Sequence, residues 1–289
     1  GVVELYLASS GTKVNPNLVA GRSVTSFAIT PDRTAVVYIA DQDFNDIFEL
    51  YRVNLSTPGV STKLSGSIVG GEDVMSFAIT PDGTSIVYIA DQDIDEVFEL
   101  YRTVFAGVSN AKLNPDYVGG KDIDAFTIMP NSTGVIYRAD EDTDGVSELY
   151  RKFFSVPTND RLIFPAMVFG ENVDAFAVTP DSSAVVFIAN LNAVTDNELF
   201  IVSAGGGAPT QLNDVLAVAN ADVTRFAVMP DGLSVVYLAD RQVDEQFELY
   251  RTIISGGVKS KVNPNLDANE DVIAFAVIPN SSGVVYIAD

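Results

Sequence analysis

The chain has no cysteine, no histidine and no tryptophan among its 289 residues. Lacking Cys, it can form no disulfide, thiol nucleophile or thiolate metal site, and its redox compartment is left open. Lacking His as well, it cannot build an imidazole general base, a Ser-His-Asp triad or an ordinary zinc site. Any chemistry would fall to carboxylates, Lys, Tyr and Arg. Positive charge is scarce too, with 17 Lys plus Arg against 39 Asp plus Glu and a net charge of −22. That balance disfavours nucleic acid and anionic membrane surfaces, and favours cations and basic partners. No apolar run approaches the length of a membrane-spanning helix, and no basic stretch precedes a short apolar one as in a signal peptide. The first residue is Gly and not Met, the expectation for a processed or excerpted chain.

What is present is a packed, repetitive sequence. At 47% hydrophobic the composition is that of a folded globule and not of an acidic disordered tail. The phrase SFAITPDRTAVVYIAD at 26–41 recurs five more times with small changes, its Phe falling at Phe27, Phe77, Phe126, Phe176, Phe226 and Phe275. The steps are 49 or 50 residues, a period that marks a repeat architecture. Within a unit, β-branched and aromatic runs bounded by turn residues predict four short strands: in the second unit VMSFAIT, SIVYIA, VFELYRTVF and AKLN. The TPDG between the first two is turn chemistry, Pro presetting φ, Asp accepting local backbone bonds and Gly tolerating positive φ. Helical spacing is absent.

Four antiparallel strands every fifty residues predict an all-β fold, a six-bladed β-propeller. The chain opens on the second half of a unit (GVVELYLAS, TKVNP) and stops after the first half (VVYIAD). The expectation is therefore one domain, 1–289, in which about 269–289 and 1–16 pair as the sixth blade and close the ring, removing exposed sheet edges. An open solenoid is the alternative, and it would want polar capping repeats.

PDGTSIVYIADQDIDEVFELYR, followed by KLN, resembles the repeat of TolB-type propellers, WD-like in layout: a Pro-Asp-Gly turn, an Asp closing the second strand, a Glu-hydrophobic-Tyr third strand and a short fourth. The resemblance spans all six units. It implies a propeller that binds proteins or ligands or gates substrates, and related repeats occur in propeller domains of tricorn-like and prolyl-oligopeptidase-like peptidases. Asn131 and Asn280 depart from it at the turn Asp, and the fourth unit departs most, losing the Asp pair and the Arg after its third strand and adding AGGGAP at 204–209.

Two acidic sets stand out. After the second strand come Asp41, Asp43 and Asp46, then Asp91, Asp93 and Asp95, then Asp140, Asp142 and Asp144. The first residue of each loop recurs as Asn190, Asp240 and Asp289, and the third strand carries Glu49, Glu99, Glu148, Glu198, Glu248 and Glu4. Recurrence in every unit predicts a structural task for that first Asp and for the Glu, since a binding site needs special residues in only one or two blades. Arg52, Arg102, Arg151 and Arg251 are the expected partners of these carboxylates or of a neighbouring blade's. The middle of the loop alternates carboxylates as a calcium turn does, DEDTDG at 140–145 fitting best, and a solvated acidic hairpin is the alternative. A helix-loop-helix calcium hand is excluded because Arg151 stands where its bidentate Glu would be.

The second set, Asp73, Asp122, Asp124, Asp174, Asp222 and Asp271, precedes the innermost strand and is expected beside the first at the channel mouth. The stretch 151–164, with Phe153, Phe154 and Phe164, serves core packing or a partner patch. The leading expectation is a non-enzymatic binding or scaffold propeller, periplasmic or extracellular, presenting its acidic face to a basic peptide, protein or cationic ligand. Two others stand beside it: a calcium-dependent phosphoesterase or lactonase, and a structural subunit built from propellers joined to one another.

Overall fold

The computed structural model describes residues 1–68, 71–106, 109–117, 120–191, 196–214, 216, 221–256, 259–267 and 270–289, and among them the regular structure is all strand, with no helix. The chain starts with a pair, β1 (Tyr6–Leu7) and β2 (Thr12–Lys13). Five blades follow. The first is β3 (Val24–Ile29), β4 (Ala35–Ala40), β5 (Glu49–Asn54) and β6 (Ser61–Lys63). The second is β7 (Val74–Ile79), β8 (Ser85–Ala90), β9 (Glu99–Val104) and β10 (Ser109–Lys112). The third is β11 (Ile123–Ile128), β12 (Gly134–Ala139), β13 (Glu148–Phe153) and β14 (Asn159–Arg161). The fourth is β15 (Val173–Val178), β16 (Ala184–Ala189), β17 (Glu198–Ser203) and β18 (Thr210–Gln211). The fifth is β19 (Val223–Val228), β20 (Ser234–Ala239), β21 (Glu248–Ile253) and β22 (Ser260–Lys261). The chain ends on the pair β23 (Val272–Val277) and β24 (Val284–Ala288).

Each of the five is a four-stranded sheet with its strands in sequence order, the blade of a β-propeller. Strand two is buried on both faces, which is why it reads as an unbroken apolar run. All six residues of β4, β8 and β20 are buried. Strand one reads differently because it opens on a bulge: the register shifts between Val24 and Ser26, Val74 and Ser76, Val173 and Ala175, and Val223 and Arg225. The extra residue turns its side chain outward; Met75 is 60% exposed.

Two compact units make up the chain, Gly1–Val135 with Lys152–Asn159, and Ile136–Arg151 with Asp160–Asp289. In the first, Val37, Ile39 and Leu50 of one blade pack against Ile86, Tyr88 and Tyr101 of the next. In the second, Val186, Ile188 and Leu199 pack against Val235, Tyr237 and Tyr250. The Tyr of strand two stacks on that of strand three within a blade, as Tyr38 on Tyr51 at 5.6 Å and Tyr237 on Tyr250 at 5.6 Å. Such pairs contribute about 0.5–1.5 kcal/mol beyond the area they bury.

The first and last strand pairs, β1-β2 and β23-β24, are each a two-stranded antiparallel sheet, consistent with the half-blades of a propeller. With β23 as its one strand neighbour among the described residues, β24 keeps Val285 and Ile287 each 61% exposed.

Candidate functional site

The acidic loop after strand two is built around its first residue. Asp41 and Asp91 are buried at the end of β4 and β8. One carboxylate oxygen of Asp91 accepts the Asp73 N–H at 2.5 Å, and the other accepts the Glu96 N–H at 3.1 Å. Asp41 does the same with Ser23 at 2.6 Å and Asp46 at 3.3 Å, and Asp240 with Asp222 at 2.5 Å and Glu245 at 3.0 Å. Asp140 accepts from Gly145 at 3.1 Å. Asn190 reproduces the first bond, from Asn172 at 2.6 Å, and donates to the Gly170 carbonyl at 2.8 Å. A side chain that closes a loop by satisfying two backbone donors is a structural device, the role expected from its recurrence.

The loop's sixth residue must adopt a left-handed backbone to bring its N–H round. Gly145 has φ 76°, and Asp46, Glu96 and Glu245 hold φ 59–60°. The glycine of DEDTDG therefore answers a turn requirement. Among the described residues no group of three or more acidic side chains is placed to hold a metal ion. The middle carboxylates point elsewhere: Asp43, Asp46, Asp95 and Asp144 are exposed, Asp93 pairs with Lys112 at 2.7 Å, and Asp142 with Arg161 at 2.5 Å.

The second acidic set joins successive blades. Asp73 accepts the Phe48 N–H at 2.6 Å, Asp122 that of Phe98 at 2.8 Å, Asp222 that of Asn197 at 2.6 Å and Asp271 that of Phe247 at 2.7 Å. Asn172 fills the place in the fourth blade, accepting from Ser147 at 2.8 Å. A parallel backbone bond runs beside each, such as Val74 N–H to Phe48 carbonyl at 2.8 Å. The two sets meet, since the Asp73 whose side chain reaches back to Phe48 is also the residue whose N–H binds Asp91. Burial is the first reason the Asp73 and Asp222 carboxyls lie above the usual range; the Phe48 and Asn197 N–H groups oppose it, and neighbouring carboxylates, Asp91 for one and Asp240 for the other, add to it.

Asp124 and Asp174 do not belong with this set. Asp174 occupies the bulge of strand one, Asp124 is its counterpart in the repeat, and both are exposed; Asp174 accepts from the Asn197 amide at 2.7 Å.

The third-strand Glu is also structural, with a partner other than the expected arginine. Glu49 takes the Tyr51 hydroxyl at 2.6 Å and the Lys63 ammonium at 2.6 Å, and Glu248 takes Tyr250 and Lys261, each at 2.7 Å. Lys112 sits among Glu99, Asp93 and Asp116 at 2.7–2.9 Å. The lysine comes from strand four, directly across the sheet. Arginines one residue past the Tyr face away. Arg52 and Arg102 lie over Phe105 and Phe154 at 4.5 and 4.0 Å, Arg251 donates to Ser234 at 3.0 Å, and Arg151 pairs with Asp160 at 2.5 Å.

Sequence reasoning missed the Asn of [KQ]-[LV]-N. Asn114, Asn213 and Asn263 accept the N–H of Leu100, Leu199 and Leu249 at 2.7–2.8 Å. Its recurrence beside the fourth strand was the signal. The third blade replaces it with Ile163, 1% exposed, and continues into FPAMVF. There the backbone of Phe164 and Gly207 is joined by a bond of 2.9 Å, and a cavity of about 370 Å³ opens between Phe164, Met167, Leu191, Phe200 and Pro209. The loop of the fourth blade beyond Leu191, residues 192–195, lies outside the described residues.

No family model and no curated protein sequence matches the chain. Solved structures share its fold. A prolyl endopeptidase aligns at TM-score 0.62 and 11% identity over 89% of this chain and 38% of its own. Oligogalacturonate lyase from Vibrio parahaemolyticus aligns at 0.59 and 12% over 96% and 75%. TolB from Acinetobacter baumannii aligns at 0.44 and 16% over 82% and 55%. The chain thus spans well under half of the peptidase and about half of that TolB. At these identities the likeness is one of fold, and the repeated four-stranded blades fit a β-propeller.

Proposed function

We propose that this propeller is a non-enzymatic binding module whose acidic loops receive a basic segment of a polypeptide. The observation that carries the reading is the division of labour inside the loops. The first Asp is committed to the backbone, while Asp43, Asp46, Asp95, Asp144 and Asp244 project into solvent. With a net charge of −22, such loops set up a negative potential that concentrates cationic groups over a range of about 8 Å in physiological salt. The reading carries with it a location in the periplasm or outside the cell, which fractionation checks.

Calorimetric titration with a lysine-rich peptide and a neutral peptide of equal length tests it. Binding of the lysine-rich peptide alone, weakening as salt is raised, is expected. Equal or absent binding of both overturns it.

A further inference from the structure

At the cavity beside the fourth blade the repeat is broken, and apolar side chains line a concave surface. In the other blades the fourth strand runs into an Asn or Ser that caps strand three; here Ile163 and Phe164 replace that pattern. Phe164, Met167, Val168, Leu191, Phe200 and Pro209 wall a space of about 370 Å³, within the range of about 300–1,000 Å³ usual for ligand pockets. Val168, which lines it, is 62% exposed, and the next residue, Phe169, is 83% exposed. One charged residue, Glu171, lines it among the described residues, and it lies next to Asn172, the blade-joining residue. Arg161 is held over Phe164 at 5.1 Å and paired with Asp142 at 2.5 Å.

We infer that this cavity takes an aromatic side chain of a bound peptide, with a lysine or arginine next to it in the peptide meeting Glu171. The apolar walls supply the burial that anchors a peptide, and the single carboxylate selects the sign of its flanking charge. The inference rests on the binding reading above and adds where the anchor sits and what it is.

The protein has no tryptophan, so a peptide carrying one Trp between lysines reports its own burial. The Trp emission is expected to shift to the blue on binding. The same peptide with Ala for Trp should bind roughly tenfold or more weakly, the effect of losing a desolvated aromatic anchor. Ala208→Phe, at an exposed rim position, should fill the space and abolish the shift while leaving binding of the Ala peptide unchanged. Glu171→Gln should weaken the Lys-flanked Trp peptide but not a Trp peptide flanked by Ser. Equal affinity for the Trp and Ala peptides, or a shift that survives Ala208→Phe, overturns the cavity assignment and leaves the acidic-loop reading standing. Absence of binding by every lysine peptide overturns both.

Discussion

At one end of the second blade Asp82 sits exposed in the turn between β7 and β8, holding the Thr80 hydroxyl at 2.6 Å and the Thr84 N–H at 3.0 Å. At the other end Asp91 sits buried after β8, holding two backbone N–H groups from different segments. The same residue type, nine positions apart, is local in one place and long-range in the other. Their electrostatic settings differ in step. Hydrogen bonds from Thr30 and then from Thr34 hold Asp32 down at about 2, and Thr179 and Ser183 lower Asp181 likewise. Burial is the largest single influence on Asp82 and raises it, but the bonds from Thr80 and Thr84 together outweigh it and leave the carboxyl lowered. At the loop end, burial and crowding by other carboxylates leave Asp73 and Asp222 raised. A turn aspartate is stabilised in its charged form by its own neighbours, whereas a blade-joining aspartate carries charge against the cost of burial.

The sharpest way to break this contrast is to remove the long-range aspartate. Asp91→Ala leaves the part-buried Asp73 and Glu96 N–H groups without their acceptor and should cost about 2–3 kcal/mol, toward the lower end of the roughly 1–3 kcal/mol for each orphaned donor. Urea unfolding checks it, and Asp91→Asn should lose less, because Asn190 keeps the equivalent first bond at 2.6 Å. Lys112→Met comes next, since it strands the buried Glu99, and about 1–3 kcal/mol is expected by the same measurement. Asp82→Ala should cost least, about 0.5–1 kcal/mol, because water replaces what an exposed turn loses.

The pH dependence separates the two ends by sign. A carboxyl lowered on folding contributes stability above its unfolded value of about 4 and loses it as pH falls toward its folded one. For Asp32 that window runs down to about 2. A raised carboxyl, as at Asp73 and Asp222, contributes the opposite way, its stabilisation present below about 4 and lost as pH rises through the folded value. Acidification from pH 7 should therefore first relieve the loop end and then, below about pH 4, weaken the turns. Asp73→Asn combined with Asp222→Asn should shrink the first change, to which the raised Glu148 and Glu198 also contribute, and leave the second, as read from denaturant midpoints across pH. A profile in which the double variant keeps the whole early rise would break the comparison.

Much of this was legible in the sequence because a repeat prints each local rule several times. The turn, the loop-closing Asp and the buried Glu could all be assigned structural roles from recurrence. What recurrence could not show was direction. Asp174 lies two residues beyond Asn172 and looked like part of one acidic set, but the bulge at strand one turns its side chain out while Asn172 reaches the preceding blade. The partner of Glu49 looked like Arg52, three residues away along its own strand. The ladder instead sets Lys63 opposite Tyr51, whose neighbouring Glu49 it reaches, and Arg52 is turned toward Phe105.

The period, the strands and the turn chemistry follow from the chain alone, because φ preferences and apolar alternation act within a few residues. Burial does not. Residues 36–40 and 284–288 carry the same string, VVYIA, yet Val37 is fully buried and its counterpart Val285 is 61% exposed. The first string lies between two strands of its sheet, and the second has one strand neighbour among the described residues. Which side chains reach water, and which carboxylates remain for a ligand, depended on strands far off in sequence, because solvent is excluded only by what packs against a surface.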